Sequence, residues 1–183
     1  MAWRSHLFCA LRHPTQPKIL LLRTGGAWRL PHVLVPERVW AADASVVVSA
    51  FERRLRTRPW LLRQLRDAED REAKRSEVVV ELELTDLHWR APTHGRWVGE
   101  SDLAGLSLAD DEHRGLLTGY LKALAADEIP EQRPPWARPG WLEVVRRWIT
   151  SEVLRLGHVV VGLGACPRRR SEFHRAAQLS EIA

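Results

Sequence analysis

The chain has 183 residues, 45% hydrophobic and 28% charged, which suits one ordinary domain with a real core and room for a partial second one. Its formal net charge of +5 is carried almost wholly by arginine, since lysine occurs only at Lys18, Lys74 and Lys122. Acidic residues are interspersed nearly everywhere, so the surplus reads as solvated surface, and no specific nucleic-acid binding is expected.

Residues 4–11 form a first candidate strand, with Pro14 and Pro17 bounding the loop to a second at Lys18–Arg23 (KILLLR). Gly25–Gly26 supplies a turn that side chains disfavour, and Trp28–Arg29–Leu30–Pro31 follows. A helix is expected over 42–57, with Asp43 as its cap, Val47, Val48, Phe51 and Leu55 facing a sheet, and Pro59 stopping it. Leu61–Leu65 is a short strand, and the alternating signs of Arg66–Arg75 (RDAEDREAKR) mark a solvated loop or helix face.

Glu77–Thr85 (EVVVELELT) ends in apolar/acidic alternation, the period of a half-buried strand. Val80, Leu82 and Leu84 then point inward, and Glu81 and Glu83 share a solvated face. Trp97–Val98 belongs to a last strand, and Asp110 or Asp111 caps a helix running to about Ala125, which His113 helps to open. Asp127–Gly140 (DEIPEQRPPWARPG), with four prolines in fourteen residues, reads as an extended linker. Trp141 begins a second amphipathic helix, with Leu142, Val145, Ile149, Val153 and Leu156 on one face and Gly157 as its C-cap. His158–Gly162 reads as a further strand.

The order strand–Gly–Gly–WRLP–helix, followed by Trp97–Leu103 (WVGESDL), resembles the frame of a Nudix domain over about residues 4–125. That resemblance implies an α+β fold, a Nudix-like α/β/α sandwich with a mixed sheet, over residues 1–126. In this family the helix carries the box GX5EX7REUXEEXGU, whose glutamates hold Mg²⁺ or Mn²⁺ against a diphosphate. With Phe51 at the apolar box position, Ser49 and Ala50 replace the Arg–Glu pair, and Arg53 and Arg54 replace the two glutamates that follow. Ala41 stands where the first glutamate belongs and Val35 where the glycine belongs. Unit charges 4 Å apart interact by about 4 kcal/mol at an effective dielectric of about 20. Two arginines therefore repel a divalent ion strongly, and no metal or other cofactor is expected.

The function so implied is a non-hydrolytic Nudix-like module that binds a nucleotide-like or phosphate-bearing ligand, with Trp28, Arg29, Arg53 and Arg54 as candidate ligand-binding residues. The plainer reading makes Arg53, Arg54, Arg56 and Arg58 the wet face of an amphipathic helix. The alternative is a divergent Nudix pyrophosphohydrolase acting on a nucleoside diphosphate derivative, with Mg²⁺ or Mn²⁺ held by acids elsewhere, such as Glu81 and Glu83.

Residues 134–162 (PPWARPGW, a helix with Trp141 and Trp148, Leu–Gly, then a strand) are similar to the start of aminoglycoside-phosphotransferase-like kinases joined behind Nudix-like domains in some high-GC bacteria. The kinase glycine loop, strand lysine and catalytic loop are absent from the chain. The resemblance implies that 141–183 is a truncated second-domain segment and that a kinase-like domain is a partner.

The eight histidines form neither HxH nor HExxH. Cys9 has only His6 and His13 nearby in sequence, and Cys9 and Cys166 make no CxxC, which favours a reducing, cytoplasmic setting. No segment approaches the roughly 20 apolar residues of a membrane span.

Overall fold

The computed structural model describes residues 2–40, 43–127 and 132–156. Strand β1 (Arg4–Leu11) is central. The edge strand β4 (His32–Val35) runs antiparallel to it on one side, and β6 (Arg75–Leu84) runs parallel to it on the other. β5 (Pro59–Asp70) pairs antiparallel with β6, giving a mixed sheet of order β4-β1-β6-β5. A parallel pair needs a crossover connection, and helix α1 (Ala44–Leu55) lies in the chain between β1 and β6. A second, antiparallel sheet places β2 (Ile19–Thr24) between β3 (Ala27–Arg29) and β7 (Gly95–Val98). Gly25 and Gly26, at φ 57° and 88°, close the β2–β3 hairpin as a two-residue turn of the kind that needs positive φ at both positions.

Alternation along β1 and β6 divides the interior into two cores. Leu7, Cys9 and Leu11 with Val78, Val80, Leu82 and Leu84 meet Val47, Ala50, Phe51 and Leu55 of α1. Phe8, Ala10 and Val79 turn the other way, onto Leu117, Tyr120 and Leu121 of α3 (His113–Ala125). The chain is thus α+β with helices on both faces of a mixed sheet, as the resemblance implies. Val47, Phe51 and Leu55 are buried as the period predicts; Val48 is only half-buried, and Ala50 takes its place.

Several expectations are corrected. The segment Arg66–Arg75 is no loop or helix face: β5 continues through it to Asp70, and a hairpin at Arg71–Lys74 returns as β6. Charged side chains alternate there because this end of the ladder is wet. Helix α1 ends before Pro59, at Arg56, whose φ of 54° turns the chain out of the helix. Asp43 is the N-cap residue of α1 as expected, but its carboxylate accepts the Trp40 N–H at 3.2 Å and bonds no helical amide. Neither Asp110 nor Asp111 is the α3 cap; Glu112 occupies that position, and both aspartates bind arginines instead. Strands β3 and β4 and the short helix α2 (Glu100–Leu103) were not foreseen.

The passage 132–140 is not wholly extended. Pro135–Ala137 forms one 3-10 turn, Ala137 is buried, and the Gly140 N–H donates to both oxygens of Glu83 at 3.0 and 2.9 Å. The chain divides into two units after Leu142, and the described part of the second is residues 143–156. Helix α4 (Trp141–Arg155) is the expected second helix. The strand expected at His158–Gly162 lies outside the described residues. No helix among the described residues is long and apolar enough to cross a membrane.

Candidate functional site

The approach to α1 is tied to β1 through one buried hydroxyl. Ser5 Oγ donates to the Glu37 carbonyl at 2.7 Å, accepts the Val39 N–H at 2.9 Å and meets Ser76 Oγ at 2.8 Å. At the far end of the helix the Leu55 carbonyl accepts the Trp89 indole N–H at 2.8 Å. On the side of α1 turned from the sheet, Arg53 and Arg54 stand exposed in the last turn, where cations complement the helix dipole. Arg53 Nε reaches back to the Ser49 carbonyl at 3.3 Å. Glu52, half-buried, is the one carboxylate within the helix. This donor set does not fit a divalent cation, because the outward groups of the last turn are guanidinium groups.

Arg29 and Trp28 sit on β3. The Trp28 N–H donates to the Ser107 carbonyl and its own carbonyl accepts the Ala109 N–H, both at 2.8 Å, so the strand is fixed along the 107–109 segment. Arg29 forms a two-point ion pair with Asp110, at 2.7 and 3.2 Å. Leu30, Leu108, His113 and Leu117 pack beside them and leave only a shallow depression. His32 on β4 stacks on Phe8 (4.5 Å between ring centroids) and on His6 (5.3 Å), and His6 Nδ1 lies 3.2 Å from His32 Nε2. Burial, then the neighbouring His6, then Arg29, push the His32 pKa down to about 4, and Arg54 adds to this. Arg29 and Arg54, from different elements, therefore act on one imidazole that stays neutral at physiological pH. Arg53 is not brought into this group.

The sequence reading missed a buried polar row on the opposite face. Glu81 and Glu83 are not on a solvated face: Glu81 is 1% exposed and Glu83 is half-buried. Arg63 Nε donates to Glu81 Oε2 at 2.6 Å, while Tyr120 OH at 2.9 Å and Arg12 Nη1 at 3.3 Å donate to Oε1. One turn of ladder away, Glu77 pairs with His113 Nε2 at 3.2 Å and with Arg66 Nε at 3.4 Å. Four residues of strand span about 13 Å, and seven of helix about 10.5 Å. The polar positions His113 and Tyr120 on α3 can therefore meet Glu77 and Glu81 on β6. That matched spacing was the available signal.

Glu77, Glu112 and His113 are the one group among the described residues whose ligand atoms (within 4.8 Å of one another) could gather around a metal ion. It lies on the α3 face, away from α1, and Arg66 already occupies the Glu77 oxygen that faces His113. Cys9 is fully buried and its thiol pKa is pushed up by that burial, so it is no accessible nucleophile.

No protein-family model matches the chain, and no curated protein matches it. Among solved structures it is similar to a Nudix hydrolase from Nitrosomonas europaea, with a TM-score of 0.50 and 14% identity over 67% of this chain and 72% of that one. The fold is Nudix-like. A provisionally assigned oxidoreductase from Sinorhizobium meliloti 1021 is also similar, with a TM-score of 0.52 and 16% identity over 70% of this chain. The chain spans 41% of the length of that protein. At such identities the Nudix likeness is one of architecture, and the charges on α1 are read from this chain alone.

Proposed function

We propose that this chain is a non-hydrolytic Nudix-like module that binds a phosphate-bearing, nucleotide-like ligand through arginines, without a divalent cation. The charge on α1 carries the reading: Arg53 and Arg54 stand exposed in its last turn, at the positions that the sequence resemblance, with Phe51 at the apolar box position, gives to metal-binding glutamates. A guanidinium group contacts phosphate oxygens directly and in pairs, so it can replace the metal as a binding element but not as a generator of hydroxide. Arg29 and Arg54 add positive potential beside the neutral His32, and the half-buried Trp28 ring offers a face for a base. The PPWARPGW passage supports a role beside a kinase-like domain that the module regulates.

The test incubates the purified chain with a panel of nucleoside diphosphate derivatives, once in chelator and once with Mn²⁺. The expected result is a rise in Tm from ligand in chelator, with no turnover in either condition. A ligand at 100 times its Kd adds about 2.7 kcal/mol of stability. Arg53→Ala with Arg54→Ala should remove that rise while leaving the unliganded fold intact. Turnover that depends on Mn²⁺ would reverse the reading in favour of the pyrophosphohydrolase.

A further inference from the structure

We infer a second anion site, remote from α1: the cleft lined by Arg12, Arg63 and Arg133 takes a small tetrahedral oxyanion of the phosphate class. The cleft opens on the α3 face of the mixed sheet as a shallow, solvent-open depression, and is completed by Glu81, Tyr120 and Leu124. Its three arginines come from three separate places: the end of β1, β5, and the passage after α3. A β5 irregularity between Leu61 and Arg63 brings Arg63 opposite Glu81.

Among the described residues, the lining sets three guanidinium groups against two carboxylates, Glu81 and Asp127. Glu81 has both oxygens engaged, Oε1 by Arg12 and Tyr120 and Oε2 by Arg63. Glu83 beside it holds the Gly140 amide with both of its oxygens. Arg133 has no carboxylate within ion-pair distance among the described residues, and the other acid of the lining, Asp127, is exposed. Burial, followed by the charge of Arg63, holds the Arg133 pKa below its usual value. Arg12 and Arg63 each show a single N–H engaged with Glu81, which leaves further donors on both groups. Three half-buried guanidinium groups facing the fully engaged Glu81 and the exposed Asp127 are stabilised by a further negative charge that accepts several hydrogen bonds, and a tetrahedral oxyanion meets that need.

This inference is independent of the ligand proposed for α1, and the test keeps the two apart. The full chain carrying Arg53→Ala and Arg54→Ala is titrated with inorganic phosphate at constant ionic strength, using calorimetry. Saturable binding is expected, and adding Arg133→Ala should weaken it at least tenfold. Arg133 holds no buried ion-pair partner among the described residues, so its variant should keep the parent Tm in the absence of phosphate. Acetate at equal concentration should not compete. Absence of saturable phosphate binding, or an affinity unchanged by Arg133→Ala, overturns the site. Equal competition by acetate overturns its tetrahedral selectivity.

Discussion

Glu81 is a side chain with 1% of its surface exposed, and its buried oxygens are satisfied by Arg63, Arg12 and Tyr120, which all donate to it. Removing one partner of a buried pair costs about 3–5 kcal/mol. Arg63 keeps about a third of its side-chain surface in water, so Arg63→Ala should cost nearer 2–3 kcal/mol in urea unfolding. Tyr120→Phe, which removes one hydrogen bond to a charge, should cost about 1–2 kcal/mol. A change below about 0.5 kcal/mol in both variants would mean that this network does not hold Glu81 in place.

At β6 the sequence misled, because alternation alone marks Glu81 as wet. The residues that bury it, Tyr120 above all, come from an element 39 positions later. His32 offers a second residue-scale check. Its folded pKa is about 4 against about 6.5 for an unperturbed imidazole, so the folded chain binds fewer protons between those values. Stability should therefore fall as pH drops from about 6.5 towards 4 and level off below, by about 1–2 kcal/mol after screening by solvent. The His32→Gln variant should show a shallower fall, and an unchanged pH profile would remove His32 from the account.

At the scale of elements, α1 shows which parts of a helix can be read from sequence. Its apolar period was legible, because Val47, Phe51 and Leu55 repeat at helical spacing. Its end was not, because the stop depends on the positive φ of Arg56 and not on the proline three residues on. A non-glycine residue in that conformation is strained by roughly 1–2 kcal/mol. Arg56→Gly should therefore raise stability by about 0.5–1 kcal/mol, measured by the shift of the urea midpoint at constant slope. The arginines before it have a structural use as well. Arg53→Glu with Arg54→Glu should cost roughly 1–2 kcal/mol from the helix dipole alone, so binding must be read from ligand titrations. β5 was half legible: its apolar start reads as a strand, but its charged continuation pairs with β6 along an edge whose outer face is solvent.

At the scale of the molecule, fold and chemistry separate because they occupy opposite sides of the same helix. Val47, Ala50, Phe51 and Leu55 fix the packing of α1, and a Nudix-like architecture follows whatever stands at Arg53 and Arg54. The sequence order of the frame was therefore sufficient for the fold, while the histidine stack and the buried acid pairs depend on contacts that no local pattern announces.

The same separation applies to the passage after α3. Its prolines suggest a spacer that the domain can lose, yet Ala137 is buried and the Gly140 amide meets both oxygens of Glu83. Burial raises the pKa of Glu83, and that amide works against the shift. A fragment of residues 1–126 leaves this half-buried carboxylate without its donor, at a cost of about 1–3 kcal/mol, whereas 1–142 retains it. The longer fragment should thus match the full chain within about 0.5 kcal/mol in urea unfolding, and the shorter should unfold at distinctly lower denaturant. Equal midpoints for the two fragments would show that residues 127–142 are a spacer after all, and that Glu83 finds its donor in water.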